Sequence, residues 1–436
     1  MKEGSFGTKT FVQGEKVLIR LESFGHSDSN DSYSTASTYL NVEGANVLTA
    51  YPTGQWTLYT SSYSVGEHSL KAVFYYDGFY GQKKIVISGT IRIDSPSQTP
   101  GPTPSPRPTA PFGFEAGPVP RIWGQTAALT SISISNQGWN SARVAIVARD
   151  DWFSDALAGA PLAHAISHHY GSIAPILLTS PHQRPDELVF EIMRLGVHKI
   201  YLLGGPGAVD MGVEASLRDI PGVTEVVRLW GQTAYGTAQV IKAEVDGLLN
   251  LGNVASLEAA IITTGENFPD SLVVSGLAAS KDVPILLVKP FSGEPPPETK
   301  LALKGIKHVL IVGGPGAVHP DLEGWLNRNG HEVERAWGNS EYDTAIDLVS
   351  MTADFFELDF SKVLVTRGDY FSDALSGGAF GALGPYPMVL VRPDSVPEVT
   401  RLWLEGNRSR IGTIYILGGW GAVSDGVMGE IEGIIR

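Results

Sequence analysis

The sequence predicts an α/β fold in which three tandem parallel-sheet modules follow a small all-β domain. Three observations support this prediction. A set of motifs recurs with a period of 107 residues, and apolar strand-like runs alternate with helical segments inside each period. A Pro/Ser/Thr-rich stretch also separates these repeats from residues 1–95, which have the short alternating patterns of β-strands.

The chain has 436 residues, more than one compact core usually holds, which indicates several domains. No run of about 18 apolar residues predicts a membrane span. The first residues, MKEGSFGTKT, contain no apolar signal segment, so we expect either a cytosolic protein or one numbered after a cleavage site. The absence of cysteine excludes disulfides, thiolate metal sites and cysteine nucleophiles.

The net charge of −14 is unevenly distributed along the chain. Residues 1–110 carry nine basic and nine acidic side chains, so the whole excess of negative charge falls on residues 111–436. An acidic domain repels nucleic acid at long range, and we therefore expect no nucleic-acid partner.

Residues 1–95 form the first predicted domain. Segments such as WTLYTSSYSVGEHSLKAVFYYDG and KKIVISGTIRI alternate apolar and polar residues, which favours a β-sandwich of about seven short strands. The stretch SVGEHSLKAVFYYDG resembles a hairpin of bacterial immunoglobulin-like domains. Residues 96–118 follow as a linker, because repeated proline favours an extended, semi-rigid chain.

Three repeats follow, at residues 119–226, 227–333 and 334–436. They open with RIWGQTAALTS, RLWGQTAYGTA and RAWGNSEYDTA, which begin at Arg121, Arg228 and Arg335. Each then contains a turn (DDWFSDAL, ENFPDSL or DYFSDAL), an apolar run (PILL, PILL or PMVL) and a glycine loop (GGPGAV, GGPGAV or GGWGAV). Continuous apolar runs are typical of parallel strands covered on both faces. We expect a toprim/Rossmann-like topology in each module and a pseudo-threefold ring of the three.

The glycine loops do not match a nucleotide site. They lack the Lys-Ser/Thr of a P-loop and the full GxGxxG pattern, so we interpret them as turns, with anion contact at the following helix as the alternative. Asp155, Asp270 and Asp373 stand at predicted helix starts, where a helix cap, a contact between repeats and a ligand contact remain open. No second carboxylate accompanies them at a matched spacing, which argues against acid–base catalysis.

The opening motif places an arginine and a tryptophan on one face of a strand. The arginines are expected either to pair with the aspartates of a neighbouring repeat or to hold anionic groups of a polymer. The tryptophans are expected at repeat junctions or against sugars. Thr130, Thr237 and Thr344 are interpreted as helix caps or as hydroxyls bonded back to their helix. A histidine cluster, His164, His168 and His169, has metal-like spacing in the first repeat only and is interpreted as a surface cluster.

These motifs, in this order, resemble the cell-wall-binding repeat type 2 family, which occurs in threes in clostridial and bacillar surface proteins. The resemblance covers residues 120–436. It implies toprim-like modules in a pseudo-symmetric trimer that attach non-covalently to anionic, teichoic-acid-like wall polymers, beside a separate effector domain. Where the family commonly has GxDRYxTA, this chain lacks the Asp-Arg pair in all three repeats, and the first repeat also lacks the tyrosine.

We therefore expect a non-enzymatic, extracellular protein of a Gram-positive surface, without cofactor or metal, that uses its repeats to bind an anionic polymer and its stalk to project the β-domain. The alternatives are a surface-lattice or adhesion protein that binds other surface proteins, and an accessory of a peptidoglycan hydrolase. The predicted polymer-binding residues lie in the opening motifs, the turns and the apolar runs: Arg121, Arg228, Arg335, Trp123, Trp230, Trp337, Asp155, Asp270, Asp373, Leu178, Leu287 and Leu390.

Overall fold

The computed structural model describes residues 110–249 and 258–436 in full, and the backbone of the strands between residues 2 and 94. The chain divides into two units, Met1–Pro106 and Arg107–Arg436. Each unit is described separately below.

The first unit is built from eight described strands. One sheet has the order β1-β8-β7-β4-β5, with β2 also paired to β8, and a second sheet pairs β3 with β6. The side chains that would show an immunoglobulin-like sandwich lie outside the described residues, so that interpretation stays a prediction. The strands are β1 (Lys2–Ser5), β2 (Lys9–Val12), β3 (Lys16–Arg20), β4 (Thr38–Val42), β5 (Ala45–Ala50), β6 (Gln55–Tyr59), β7 (Gly66–Gly78) and β8 (Gly81–Asp94).

The second unit alternates strands and helices. No helix in its described residues combines the length and apolar character needed to cross a bilayer. The strands are β9 (Phe112–Glu115), β10 (Arg121–Gly124), β11 (Val144–Arg149), β12 (Ile176–Thr179), β13 (Lys199–Leu203), β14 (Glu225–Leu229), β15 (Ala259–Thr264), β16 (Ile285–Val288), β17 (His308–Val312), β18 (Glu332–Ala336), β19 (Lys362–Arg367), β20 (Met388–Val391) and β21 (Thr413–Leu417).

The helices carry the connections between these strands. A 3-10 turn at Pro269–Ser271 precedes the seventh helix. The helices are α1 (Ala127–Gly138), α2 (Ser154–Ala165), α3 (Ser167–Tyr170), α4 (Asp186–Leu195), α5 (Met211–Arg218), α6 (Ala234–Leu248), α7 (Val274–Ser280), α8 (Pro297–Ala302), α9 (Asp321–Arg328), α10 (Glu341–Thr352), α11 (Ser372–Ala382), α12 (Glu398–Asn407) and α13 (Asp425–Ile435).

The first helix of each repeat begins at the same sequence signal. Thr126 caps α1 by accepting a hydrogen bond from the Leu129 amide, and Thr233 caps α6 in the same way from Gly236. Ser340 caps α10 by accepting from Asp343. A hydroxyl at this position satisfies an amide that would otherwise lack a partner in the first turn of the helix.

Three sheets, two all-parallel and one parallel except for β9, confirm the predicted α/β modules, while the toprim/Rossmann label stays a prediction. The first two sheets have the orders β12-β11-β13-β14 and β16-β15-β17-β18. Their four strands are all parallel. The strand that opens a sequence repeat is thus the last strand of the preceding sheet, so the sheets are offset from the sequence period by one strand.

The third sheet closes the arrangement. Its order is β20-β19-β21-β10-β9, so its fourth position is taken by β10, from the start of the unit. Strand β10 pairs in parallel with β21, with Arg121 opposite Ile416. Residues 112–115, which the sequence assigns to the linker, form β9 and pair antiparallel with β10. The three modules therefore form a closed ring of sheets.

Three helices meet at the centre of this ring. The small-residue helices α2, α7 and α11, one from each repeat, all pack against one another. Beside them the rings of Phe153, Phe268 and Phe371 form a triangle with centroid separations of 6.1, 6.2 and 5.4 Å. Each of these phenylalanines stands two residues before the turn aspartate, so we call the segment the FxD turn. The three rings mark the pseudo-threefold centre and form a core shared by modules that are far apart in sequence.

Replacing Phe153 with alanine tests this shared core. Phe153 is only 1% exposed and touches the equivalent rings of both other repeats. We expect the substitution to lower the free energy of unfolding of the full chain by about 3–5 kcal/mol, measured by urea denaturation. Phe190→Ala, at a site that is 68% exposed, is the matched control and should change it by less than about 0.5 kcal/mol. Equal effects of the two substitutions would contradict the shared core.

Candidate functional site

Each predicted arginine holds the glycine loop beside it. The Arg121 Nη1 donates to the carbonyls of Gly418 at 3.1 Å and Val423 at 2.7 Å. The first glycine and the valine of the GGxGAV loop thus share one guanidinium. The same pair of acceptors recurs in the other repeats, as Gly204 and Val209 for Arg228 and as Gly313 and Val318 for Arg335.

An acidic residue on the helix after the loop completes each arginine site. Arg228 Nε lies 2.7 Å from Glu214 Oε2, and Arg335 pairs with Glu323. Arg121 Nη2 lies 3.5 Å from Asp425 Oδ1. The expected pairing of the arginines with the aspartates of the FxD turns is therefore wrong.

The burial of the arginine side chains fits this structural role. Arg121 is 0% exposed, and the side chains of Arg228 and Arg335 are 8% and 10% exposed. Because each guanidinium is occupied with backbone carbonyls and a carboxylate, it fixes the loop rather than facing solvent.

The turn aspartates connect successive repeats. Each accepts a hydrogen bond from a threonine of the next repeat: Asp155 from Thr237, Asp270 from Thr344 and Asp373 from Thr130. The helices that follow the turns have phenylalanine at the N-cap of α2 and α11, with no side-chain cap, so the interpretation of these aspartates as caps is wrong. We call each of these aspartate–threonine junctions between two repeats a seam. The three seams form a closed cycle, because the third repeat bonds back to the first.

Burial dominates the electrostatics of these aspartates. The pKa of Asp155, of Asp270 and of Asp373 is raised, chiefly because burial penalises the charged form. The threonine hydroxyl opposes this shift without cancelling it. In the second and third repeats the same hydroxyl also accepts from a backbone amide, from Gly231 to Thr237 at 3.1 Å and from Gly338 to Thr344 at 3.1 Å.

The glycine loops are turns. Gly204, Gly313 and Gly418 have left-handed φ values of 94°, 120° and 111°, which glycine adopts without strain. Within the first loop, the amides of Ala208 and Val209 both donate to the Gly205 carbonyl, at 2.8 and 3.1 Å. These amides are therefore bonded inside the loop, and the interpretation of the motif as a turn agrees with the geometry.

The three tryptophans differ in exposure. Trp230 and Trp337 are 45% and 46% exposed and lie over the second glycines of their loops, Gly205 and Gly314. Trp123 is only 3% exposed, because β9 covers it and Trp420, which replaces the loop proline, packs 4.9 Å from it. Two of the three positions therefore present an aromatic face to solvent.

The leucines of the apolar runs are core residues. Leu178, Leu287 and Leu390 are all 0% exposed in β12, β16 and β20. The carbonyls of the last two accept hydrogen bonds from Thr299 at 2.6 Å and Thr400 at 2.8 Å. Their strands end in exposed cations in two repeats, Lys289 and Arg392, whereas the first repeat has Ser180 at this position.

A groove lies beside one of these strand ends. It has a volume of about 460 Å³ and is lined by Thr233, Tyr235, Lys289, Ser292 and residues 294–298; we call it the Tyr235 groove. Tyr235 donates to Glu266 Oε1 at 2.9 Å. Its lining combines an aromatic ring, a cation, hydroxyls and the carboxylates of Glu294 and Glu298. It lies at the carboxyl edge of a parallel sheet, where α/β proteins commonly bind ligands.

The third repeat has an equivalent pair. The Arg392 guanidinium lies over the Tyr342 ring, 4.6 Å from its centroid. The first repeat has alanine at the tyrosine position, Ala128. The sequence contained the signal for both pairs, since AY and EY begin the first helices of the second and third repeats and VK and VR end the apolar runs. The predicted site did not include them.

Comparison with protein families identifies the repeats. The model of the family described as "Cell wall binding domain 2 (CWB2)" matches residues 121–214, 228–323 and 335–428. Each match begins at the arginine of the opening motif. Together the matches cover more than half of the chain.

Two curated relatives come from Bacillus subtilis (strain 168). The chain is 25% identical over 281 residues to the amidase enhancer, covering 64% of this chain and 36% of the relative. It is 24% identical over 323 residues to the N-acetylmuramoyl-L-alanine amidase LytC, covering 74% of this chain and 60% of the relative. The chain thus spans less than two thirds of either relative.

Two solved structures from Clostridium difficile share the fold. Cwp8 matches with a TM-score of 0.61 and 20% identity, over 91% of this chain and 63% of Cwp8. Cwp6 matches with a TM-score of 0.62 and 18% identity, over 98% of this chain and 67% of Cwp6. The architecture of parallel-sheet repeats is therefore shared with known structures.

Gly204→Ala tests the close approach of the loop to the seam. A Cβ at this position would lie 2.6 Å from Asp155 Oδ2, and the φ of 94° is unfavourable for alanine. We expect a loss of about 1–3 kcal/mol in the free energy of unfolding, measured by urea denaturation. Gly207→Ala, in the same loop with nothing within 4 Å, is the control. The interpretation fails if both variants are equally stable.

Asp373→Asn tests the desolvation of the seam carboxylates. The folded-state pKa of Asp373 is raised above its ordinary value of 3.8, so the folded state binds the proton more tightly than the unfolded state. Its contribution to stability is present below the ordinary pKa and is lost as pH rises through the raised pKa. We expect the stability of the native protein relative to D373N to fall as pH rises through this window, measured by urea denaturation across pH.

Glu214→Gln is the control of opposite sign. Burial alone would raise the pKa of Glu214, but Arg228 and Arg218 hold it below its ordinary value of 4.5. Its contribution is present above the ordinary pKa and is lost as pH falls through the lowered one. Parallel pH trends for D373N and E214Q would contradict this account of the seam.

Proposed function

The chain belongs to the cell wall binding domain 2 family, and from that premise we propose that its repeats anchor it to a Gram-positive wall through an anionic, teichoic-acid-like polymer. Membership of the family implies that the chain binds a cell-wall polymer and acts at the cell surface. The nature of the polymer and the residues that contact it are the proposal developed here.

The observation that carries the proposal is the pairing of a tyrosine with a cation at two sheet edges. Tyr235 and Lys289 line the same groove, and Arg392 lies over Tyr342 in the next repeat. Tyr235 is partly exposed, so its ring offers an apolar face to a sugar, whereas Tyr342 is buried and its ring supports the exposed Arg392. Both exposed cations attract a phosphate or carboxylate. The combination suits a chain of sugars or polyols that carries regular negative charges.

Local charge reconciles an acidic protein with an anionic ligand. The net charge of −14 gives no general attraction to a polyanion. Lys289 and Arg392 are exposed at corresponding strand ends, and no ion pair within residues 110–249 and 258–436 involves either of them. Lys289 shares its groove with the carboxylates of Glu294 and Glu298, and Glu294 is paired with Lys300. The two exposed cations therefore supply a local attraction that the molecule as a whole lacks.

The ring arrangement strengthens weak individual contacts. The two tyrosine–cation sites belong to neighbouring repeats that share a seam and the central phenylalanine triangle. Once a long polymer occupies one site, its contact with the second becomes intramolecular, and linkage of this kind raises affinity by about 10²–10⁴-fold. A repetitive polymer benefits from this geometry, whereas a small ligand does not.

The predicted polymer-binding residues take two roles in the proposal. Trp230 and Trp337 are exposed and provide additional stacking faces on the glycine loops. The other ten are buried or occupied with protein partners. They act indirectly, because the arginines fix the loops, the aspartates join the repeats and the leucines hold the strands that end at the cations.

The proposal assigns binding rather than catalysis to the repeats. Their recurring carboxylates, Asp155, Asp270 and Asp373, are each occupied by a threonine within a seam. The N-terminal unit, with its immunoglobulin-like resemblance, is proposed as the part that the anchor displays. A lattice protein and an accessory of a wall hydrolase are the competing functions.

Retention of the full chain on isolated cell walls tests the polymer. We expect binding to native walls, and loss of binding after extraction of anionic polymers that leaves the peptidoglycan in place. In the double variant Lys289→Ala/Arg392→Ala, apparent affinity should fall by about 10²-fold, since both the charges and the linkage between sites are removed.

A charge-matched control distinguishes binding at the Tyr235 groove and the Tyr342–Arg392 pair from general electrostatic attraction. Lys304→Ala/Arg143→Ala removes two exposed cations that precede strands, at the opposite edges of their sheets. This control should retain native binding. Equal retention of the chain on extracted and native walls would exclude the anionic polymer as the ligand. Equal losses of affinity in the two double variants would exclude the Tyr235 groove and the Tyr342–Arg392 pair as the binding sites.

A further inference from the structure

Three potential metal ligands converge at the seam between the first two repeats. His164 lies at the end of α2 and His168 in α3, both in the first repeat. Asp282 follows α7 in the second repeat. The histidine spacing was visible in the sequence, but the carboxylate that joins the pair comes from a distant part of the chain.

The geometry of the cluster is compact. His164 Nδ1 lies 2.8 Å from one oxygen of Asp282, and His168 Nε2 lies 2.9 Å from the other. The two imidazole rings stand nearly perpendicular, at 82° with centroids 5.4 Å apart. One potential ligand atom from each residue lies within 4.8 Å of those of the other two, close enough for all three to approach a single ion.

The backbone holds the carboxylate in place. Asp282 has a φ of 57°, a left-handed conformation that costs energy for a residue other than glycine. Its side chain is only 9% exposed, whereas His164 and His168 are 24% and 47% exposed. The cluster is therefore open to solvent on the histidine side and closed on the aspartate side, which gives an ion a route of entry.

The cluster is not part of the packing that all seams share. Counted from the turn aspartate, the positions equivalent to His164 are Ala279 and Ala382. Counted from the proline of the apolar run, the positions equivalent to Asp282 are Ile173 and Pro385. The other two seams therefore close with apolar residues where the first seam places imidazole and carboxylate groups.

We propose that His164, His168 and Asp282 form a binding site for a divalent transition-metal ion of the Zn²⁺ class. Two imidazoles and one carboxylate match the ligands that zinc prefers, and water completes the coordination. Mg²⁺ and Ca²⁺ favour sets of oxygen ligands and are disfavoured here. To bind the ion, each imidazole presents an unprotonated nitrogen on the side of the carboxylate and carries its proton on the other ring nitrogen.

The ion would join the first two repeats. Because its ligands come from both repeats, it binds the folded ring better than the unfolded chain and raises thermal stability. The site shares no residue with the Tyr235 groove or the Tyr342–Arg392 pair. Metal binding can therefore be present or absent independently of polymer binding.

Metal titration of the untagged, chelator-treated full chain tests the site. We expect about one Zn²⁺ ion per chain by calorimetry, with micromolar or tighter affinity, and a rise in melting temperature. Co²⁺ should give the visible absorption of a nitrogen- and oxygen-ligated ion, while Mg²⁺ and Ca²⁺ should leave the melting temperature unchanged. No stoichiometric Zn²⁺ binding would overturn the proposal.

Ligand variants locate the ion. His164→Gln, His168→Gln and Asp282→Asn should each weaken Zn²⁺ binding at least about tenfold and abolish the Zn²⁺-dependent rise in melting temperature. His182→Gln is the matched control, because His182 forms an equally short bond, 2.8 Å, to Asp210 without a second imidazole. Because three separate variants report on the site, the other two still test it if one of them fails to fold. Unchanged Zn²⁺ binding in the folded ligand variants would overturn the assignment.

Discussion

The ring depends on one hydrogen bond, repeated three times, between a buried aspartate and a threonine of the next repeat. It joins the start of a central helix in one module to the first helix of the following module. Burial makes the charged carboxylate costly, and the glycine of the adjacent loop leaves room for it where a Cβ would collide. The seam therefore fixes glycine at the loop, threonine in the helix and aspartate in the turn.

The arginines extend this constraint to the sheet edges. Each guanidinium connects the fourth strand of a sheet to the loop that contacts the seam aspartate. The arginine of the opening motif, a residue type that often binds external anions, is thereby used to hold the protein's own loop. Lys289 and Arg392 are exposed beside this framework and are the cations that the proposed polymer would contact. The buried arginines and the exposed cations thus belong to different strands of the same modules.

Departures from the symmetry show where the modules differ in use. In the third sheet, β9 and Trp420 cover Trp123, whereas the equivalent Trp230 and Trp337 remain exposed. The first repeat lacks both the tyrosine and the strand-end cation of the other two, but its seam with the second repeat contains the histidine–aspartate cluster. The repeats share a framework, and their individual side chains determine what each surface offers.

The sequence by itself determined the repeat, the α/β class and the wall-binding family, because these follow from local periodicity and from motif order along the chain. The turn nature of the glycine loops also followed, since conformation there depends on neighbouring residues. The tertiary structure alone decided that β10 completes the third sheet, that Asp155 meets Thr237 and that Arg121 faces inward. Each of these depends on contacts between residues far apart in the chain, and burial, which separates a structural side chain from a binding one, exists only after the ring has closed.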